Sequence, residues 1–164
     1  MSKRSNDLAG RLEAGARALA QFAEGLTEDE WKLRLPHDGR TFGVVVHHVA
    51  NVYPLEIELA QMVASGKPVE GLTANSIDEM NADHATKFEA VTKAQALELL
   101  SRNSAAAADA IRAFADEDLD RAVPVSLYGD ATLTCQFVLE DHAVRHSYHH
   151  LARLRAAFKL LTKS

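Results

Sequence analysis

Histidine is the residue type in this chain whose number and spacing could form a metal-binding or catalytic site. The 164 residues include eight histidines, and four of these, His142, His146, His149 and His150, fall close together near the C-terminal end. Imidazole binds metal ions and also titrates near neutral pH, so such a cluster can hold a cation or transfer protons. His146 and His150 are one helical turn apart, which lets both rings converge on one ion, as paired histidines do on zinc-binding helices.

A third ligand is expected from a second helix. With an advance of about 100° per residue, His48 lies at the centre of an apolar stripe, whereas its neighbour His47 points to a different side of the helix. His146 lies on a comparable apolar stripe of the last predicted helix. The sequence therefore predicts one metal site formed by three residues on two helices, namely His48, His146 and His150.

The same pattern has a structural interpretation, because a core-facing histidine can be held by hydrogen bonds and an i, i+4 pair can arise by chance. Burying several imidazoles without partners costs free energy, and a shared metal satisfies them together. Three neutral imidazoles leave an ion its full charge and an open position, which is typical of catalytic sites. Such an ion can lower the pKa of a water to about 7 or bind a substrate thiol as thiolate.

Four neighbouring side chains are candidates for orienting a ligand or moving a proton, and each can equally be a structural or surface group. These candidates are His47, Glu56, His142 and His149.

Three further residues near the stripe are assigned other roles. Asp141 is predicted to be a solvated charge. Arg153 shares the histidine stripe and either binds an acidic substrate group or extends to solvent. Cys135 is predicted to pack in the core, because it lies nearly three turns before His146.

The elements that position these residues are predicted to be helices, since apolar residues recur three and four positions apart and strand-like alternation is scarce. Long helices are predicted at about 6–24, from Thr41 to before Gly66, and at 133–161. The third of the four long elements is predicted to be two consecutive helices, at 77–90 and 93–115, and short helical turns are predicted at Trp31 and at 115–118. Capping boxes are predicted at Thr27 with Glu30, Ser76 with Glu79, and Thr92 with Gln95. Pro54 predicts a kink in the second long helix.

Four long helices with short connections predict an all-α four-helix bundle in one domain, residues 1–164. With 47% hydrophobic and 25% charged residues, the composition argues against global disorder. The net charge of -5 gives no attraction to phosphate backbones, so nucleic acid is not expected as a partner. Apolar stretches are too short for a membrane span. The N-terminus lacks a secretory pattern and there is one cysteine, which together predict a cytoplasmic protein.

The last helix also has a second apolar side, roughly opposite the histidines. A helix that is apolar on two sides is either buried within its own bundle or shared with a partner. A homodimer through this surface is favoured, and cover from the N-terminal or short helices is the alternative. The residues of this side are Phe137, Val144, Tyr148, Leu151 and Phe158.

Two segments resemble motifs of the DinB/YfiT-like superfamily. Thr41–Ala50 (TFGVVVHHVA) resembles its second-helix motif, in which a T-x-G start precedes a ligand histidine. His146–Arg155 (HSYHHLARLR) resembles its last-helix motif, H-x-x-x-H followed by a leucine-rich turn and arginine. Ile77–Ala82 and Asp118–Arg121 look typical of one branch, so the resemblance covers nearly the whole chain.

The resemblance implies an up-down-down-up bundle, frequent homodimers, and a nickel, zinc or iron ion held by His48, His146 and His150. Relatives include thiol transferases that use bacillithiol or mycothiol, the maleylpyruvate isomerase type, and hydrolase-like members. His142 and His149 crowd the motif, so either could join or replace a ligand. Leu151-Ala152 stands where some branches have glycine-glutamine, so the substrates of those branches are not carried over.

We therefore expect a divalent-metal-dependent enzyme, a transferase or a hydrolase, that acts on a small molecule, with a low-molecular-weight thiol as a candidate partner. A non-catalytic metal-binding or dimeric interaction module is the first alternative. A purely structural bundle without an ion is the second.

Overall fold

The computed structural model describes residues 2–163, most of which are helical. In chain order the helices and strands are α1 (Lys3–Glu24), α2 (Glu28–Trp31), α3 (Phe42–Ala64), α4 (Ala74–Lys87), α5 (Lys93–Arg112), α6 (Asp116–Asp120), β1 (Ala122–Val125), β2 (Ala131–Thr134), α7 (Cys135–Val138) and α8 (Arg145–Leu161). A π-helical turn, Leu139–Val144, joins α7 to α8.

Four long elements surround one core: α1, α3, α5 and the continuous run from α7 to α8. α5 packs against α1 and α3, and the α7–α8 run packs against the same two helices. The predicted four-helix bundle is confirmed. No helix within residues 2–163 combines the length and apolar character that a membrane crossing needs. The largest side chains fully removed from solvent include Leu12, Leu19, Phe42, Tyr53, Leu100, Ile111, Leu139 and Leu154.

Hydroxyl caps explain where the helices begin. The boxes at Thr27 and Thr92 are confirmed. The predicted box at Ser76 and Glu79 is wrong, because Thr73 caps α4 and Ser76 closes the box as its third helical residue. α4 therefore spans 74–87 instead of 77–90. The first helix starts at Lys3, earlier than predicted, because the Ser2 hydroxyl accepts a hydrogen bond from the Ser5 N–H at 3.0 Å.

Pro54 lies inside α3, which continues to Ala64. A proline in a helix lacks the N–H that would reach the carbonyl four residues earlier, here that of Ala50. The Asn103 side chain on α5 donates a hydrogen bond to this carbonyl at 2.8 Å. The neighbouring helix thus satisfies the acceptor that the proline leaves free.

A small hairpin was not anticipated. β1 pairs antiparallel with β2, and Gly129 and Asp130 turn the chain with φ angles of 63° and 61°. Val123 and Val125 point inward and are buried. β-branched residues on both sides of a turn that needs positive φ favour a hairpin. The last helix consequently begins at Cys135 rather than at about residue 133.

α1 covers much of the second apolar side of the last helix. Leu151 is buried, and the Phe158 ring meets Phe22 of α1 edge to face, with 6.0 Å between ring centroids. Phe137 and Tyr148 remain about two fifths exposed. The structure therefore supports cover from the N-terminal helix for most of this surface, and the homodimer stays a prediction.

Candidate metal centre

The first turns of α3 place His48 inside the bundle. The Thr41 hydroxyl caps the helix by accepting a hydrogen bond from the Val44 N–H at 3.1 Å. Gly43 lies so close to the Trp31 indole that a β-carbon there would be 2.5 Å from the ring. The T-x-G start therefore combines a cap with a close contact that only glycine allows. One turn later, His48 is buried at 4% exposure.

The three predicted ligand residues meet at one point. One nitrogen from each of His48, His146 and His150 lies within 4.8 Å of the other two. The Nε2 atoms of His48 and His146 are 3.1 Å apart, and the rings of His146 and His150 stack with centroids 4.8 Å apart. A buried three-histidine cluster is thus present, and it could hold a metal ion.

Glu56 orients one of these rings. Its carboxylate oxygen Oε1 contacts Nδ1 of His146. A carboxylate accepts hydrogen bonds, so Nδ1 carries the proton and Nε2, which faces His48, keeps its lone pair. A carboxylate on the outer nitrogen of a histidine is the usual support of a metal-ligating ring. Of the four candidates, Glu56 is thus the one whose carboxylate contacts the cluster.

Burial keeps two of the rings neutral. It lowers the pKa of His48 to about 2, with a further contribution from the neighbouring His146. Burial likewise lowers the pKa of His150 to about 2, again with His146 as the next cause. A neutral imidazole has a lone pair to offer a cation, whereas a protonated one has none. At neutral pH these residues therefore present donor atoms rather than positive charges.

The donor set fits a divalent transition metal. Metal–nitrogen bonds of about 2.0–2.1 Å at tetrahedral or octahedral angles put two ligand nitrogens roughly 2.8–3.4 Å apart, which includes the spacing between His48 and His146. Among the described residues, Nδ1 of His48 and Nδ1 of His150 are buried and have no hydrogen-bond partner. Imidazole ligands suit zinc, nickel and iron. Coordination through one nitrogen of each ring would offset part of the cost of burying these rings.

A cavity of about 360 Å³ opens beside the cluster, and His48, Glu56, His142 and His146 line it. Its remaining walls come mainly from apolar side chains of α3 and α4 and from the loop between them. A mostly apolar cavity with a few convergent polar groups is typical of small-molecule sites.

His142 reaches this cavity from the π-helical turn, a feature often found at functional sites. The Tyr128 hydroxyl donates to Asp141, so its oxygen accepts the hydrogen bond at 3.0 Å from Nε2 of His142. Nδ1 of His142 is therefore the acceptor nitrogen. Asp141 was predicted to be a solvated charge, but it is half-buried and also accepts a hydrogen bond from Arg145 at 2.8 Å.

His47 lies on the other side of α3 and is also buried. Its Nδ1 is 2.9 Å from Nε2 of His84, and its ring centroid is 4.1 Å from that of Phe88. Burial lowers the pKa of His84 to about 4, with His47 as the next cause. His84 was not anticipated, because α4 carries no clear apolar stripe around it. His47 and His84 form an aromatic cluster beside the three-histidine cluster.

The remaining candidates lie apart from the cluster. His149 is exposed, and its ring meets that of His150 edge to face. Cys135 packs in the core as predicted, and its thiol donates to the Ala60 carbonyl at 3.4 Å. Burial raises the pKa of this thiol to about 12, which makes it a poor nucleophile.

Arg153 has a partner that neither sequence alternative included. Asp38 accepts hydrogen bonds from Arg153 at 3.1 Å and from Nε of Arg40 at 2.8 Å. Burial by itself would raise the pKa of Asp38, but the hydrogen bonds from the two arginines more than offset it, so this pKa lies well below its usual range. The link ties the start of α3 to α8, the two helices that carry the three histidines.

Comparison with known families assigns the chain. A match to the DinB superfamily covers residues 11–154, which include all three histidines of the cluster. The chain belongs to the DinB superfamily. The resemblance seen in the two histidine motifs is therefore confirmed. No protein of curated function matches the sequence.

Solved structures share the fold at low sequence identity. YfiT from Bacillus subtilis, described as a probable metal-dependent hydrolase with an unusual four-helix bundle topology, matches with a TM-score of 0.76 and 19% identity, over 100% of this chain and 91% of YfiT. A mycothiol-dependent maleylpyruvate isomerase matches with a TM-score of 0.70 and 13% identity, over 92% of this chain and 60% of the isomerase. A DinB-like protein from Bacillus subtilis matches with a TM-score of 0.62 and 14% identity, over 96% and 94% of the two chains.

Proposed function

We propose that this DinB protein is a divalent-metal-dependent enzyme that acts on a small molecule, with nickel, zinc or iron held by His48, His146 and His150. The observation that carries the proposal is the meeting of three imidazoles from two helices, one of them oriented by Glu56, at the wall of a cavity. An isolated structural histidine needs neither an orienting carboxylate nor two partner rings.

Two reaction classes fit this site. A hydrolase is supported by the description of YfiT, whose fold matches over nearly its full length. Transfer of a low-molecular-weight thiol is supported by the fold of the mycothiol-dependent isomerase, of which this chain spans about 60%. Both reactions need an activated nucleophile beside a polarised substrate.

The residues around the cluster have separable roles in either reaction. A divalent ion, when bound, supplies a Lewis acid that lowers the pKa of a nucleophile and polarises a carbonyl. Glu56 holds His146 in the tautomer whose Nε2 is a donor atom. His142, held by Tyr128, offers Nδ1 as an acceptor for a proton at the cavity wall. The apolar walls offer a surface for the carbon skeleton of a substrate.

Activity assays on matched histidine variants test the proposal. Wild-type protein, loaded in turn with nickel, zinc and iron, is assayed against simple esters and amides and against thiol–electrophile pairs. Turnover is expected to depend on the metal, to be lost in His146→Ala, and to persist in the control His149→Ala, which removes an exposed imidazole from the same helix. Stoichiometric metal without turnover on any of these substrates would favour a non-catalytic metal-binding module.

A further inference from the structure

The residues that line the cavity beside the three-histidine cluster indicate which class of molecule it binds. We propose that its ligand is an apolar amine, whose carbon skeleton lies between α3 and α4 and whose amino group lies at the Glu56 and His142 end. The inference rests on the proposed function in taking this cavity as the substrate site. It adds the chemical class of the substrate.

The walls of the cavity favour an apolar skeleton. Val52 and Leu59 of α3 face Ile77 of α4 across it, and Met62 and Met80 lie along the same walls. Both methionines are 40% exposed. Thioether side chains adapt their shape to a ligand, and exposed apolar walls gain free energy when they are covered. A volume of about 360 Å³ limits the ligand to a small molecule.

The polar groups at the Glu56 and His142 end of the cavity are hydrogen-bond acceptors. Glu56 is 7% exposed, and its Oε2 has no hydrogen-bond partner among residues 2–163. His142 presents Nδ1 as an acceptor, because Tyr128 already accepts the hydrogen on Nε2. A buried acceptor without a donor is costly, and an amino group supplies several donors at once.

The charges around the cavity point to the same ligand. Glu58 and Glu70 line it, both with exposed side chains, and add negative charge to that of Glu56. Within the described part of the chain, no lysine or arginine lines this cavity. A cleft lined by one sign of charge attracts the opposite sign and repels its own. In the metal-free protein, carboxylate ligands are therefore disfavoured relative to amines of the same shape.

Three probes of equal skeleton test the charge preference: phenylbutylamine, phenylbutanol and phenylbutyrate. Protein carrying carbon-13 methionine methyl groups is freed of metal by a chelator, and the methyl resonances of Met62 and Met80 are followed by NMR. Phenylbutylamine is expected to shift both resonances and to bind at least tenfold more tightly than phenylbutyrate, with phenylbutanol between them. Equal or tighter binding of phenylbutyrate, or no shift with any probe, would overturn the proposal.

Variants test which side chains cause the preference for the amine. Glu56→Gln is expected to reduce the affinity for phenylbutylamine at least threefold, whereas the exposed control Glu24→Gln leaves it unchanged. The double variant Glu58→Gln with Glu70→Gln changes only exposed residues, so it keeps the fold, and it is expected to raise the affinity for phenylbutyrate about threefold. Ile77→Trp fills the cavity and is expected to abolish binding of all three probes. Unchanged affinities in these variants would show that the probes bind elsewhere.

Because the probes are tested on metal-free protein, the predicted ligand class and the metal-dependent function can be overturned independently. Metal uptake is measured in parallel by elemental analysis. Protein that takes up metal but does not distinguish the amine from the carboxylate overturns the ligand class alone. Protein that prefers the amine but takes up no metal overturns the metal-dependent function alone.

Discussion

The two sides of α3 carry buried histidines in different surroundings. On one side His48 meets His146 and His150, and a carboxylate orients the cluster. On the other side His47 packs against His84 and Phe88, and the His84 ring also meets that of His48 edge to face, with 5.5 Å between ring centroids. The cavity next to His48 is lined by glutamates, whereas the one next to His47 is lined by Lys87 and Arg102 in addition to Glu98.

This comparison separates two uses of a buried imidazole. Burial lowers the pKa on both sides, so burial alone does not identify a metal site. What distinguishes the His48 side is the convergence of three nitrogens and the carboxylate behind one of them. On the His47 side, one nitrogen of His47 meets one nitrogen of His84, and the Phe88 ring packs against both imidazoles.

The largest expected effect is the stabilisation of the fold by a metal. Ligand at one hundred times its dissociation constant stabilises a fold by about 2.7 kcal/mol. For a chain of this size we expect a rise in melting temperature of roughly 5–10 °C. The rise should vanish in His150→Ala and persist in His84→Phe, as measured by differential scanning fluorimetry with and without zinc. A rise of equal size in both variants would contradict the comparison.

The Glu56 carboxylate should affect how tightly the metal binds but not how many ions bind per chain. Replacing such a residue typically costs ten- to one hundredfold in affinity. Glu56→Gln is therefore expected to bind one ion per chain with affinity reduced by about that factor, measured by competition with a chelating dye. Glu24→Gln, which removes an exposed carboxylate at the end of α1, is the control and should bind like the wild type. Equal affinities in the two variants would remove Glu56 from the site.

The Asp38 link should stabilise the His48 side in a pH-dependent way. The pKa of Asp38 is lower in the folded state than its ordinary value of 3.8, so its contribution is present above about pH 4 and is lost as the pH falls further. Asp38→Asn is expected to lower the free energy of unfolding by about 1–2 kcal/mol at pH 7 and by somewhat less at pH 3, because the contribution is lost progressively as the pH falls from about 4 towards the lower pKa of the folded state. Urea unfolding at both pH values measures this.

A surface ion pair is the control for the Asp38 prediction. Asp7→Asn removes an exposed pair with Lys3 on α1 and is expected to leave the free energy of unfolding nearly unchanged at both pH values. A loss in Asp38→Asn that is equal at both pH values would show that the carboxylate charge is not what stabilises the link.

The smallest expected effect concerns the His47 side. His84→Phe keeps an aromatic ring against Phe88 and removes a buried nitrogen that has no partner within residues 2–163, but it also removes the contact with His47. These changes oppose each other, so the free energy of unfolding is expected to change by less than about 1 kcal/mol. A loss above about 3 kcal/mol would indicate that the two imidazoles form a site of their own.

Much of the bundle and the cluster could be predicted from helical periodicity. The direction of His48 relative to His47 follows from an advance of about 100° per residue, although both side chains are buried because α3 packs on several sides. Glu56 lies two turns after His48 on a similar side, so its proximity was also predictable. The sequence pattern thus identified the three histidines that meet, and it gave Glu56 as one of four candidates beside them without distinguishing it from the others.

Other features depend on contacts between distant segments. The histidine partner of His47 comes from α4, whose weak periodicity gives no direction for His84. The π-helical turn changes the advance per residue between Leu139 and Val144, so a regular helical wheel does not describe how His142 reaches the cavity. The hairpin had a local signal in Gly129 and Asp130, but its strands are only four residues each.

The most direct test compares the metal content of two adjacent variants, His48→Ala and His47→Ala. Each removes one buried imidazole from the same helix, so the damage to packing is similar and the difference reports the ligand. After expression, exhaustive dialysis and elemental analysis, we predict about one ion per chain in His47→Ala and none in His48→Ala. Equal metal content in the two folded variants would contradict the three-histidine site.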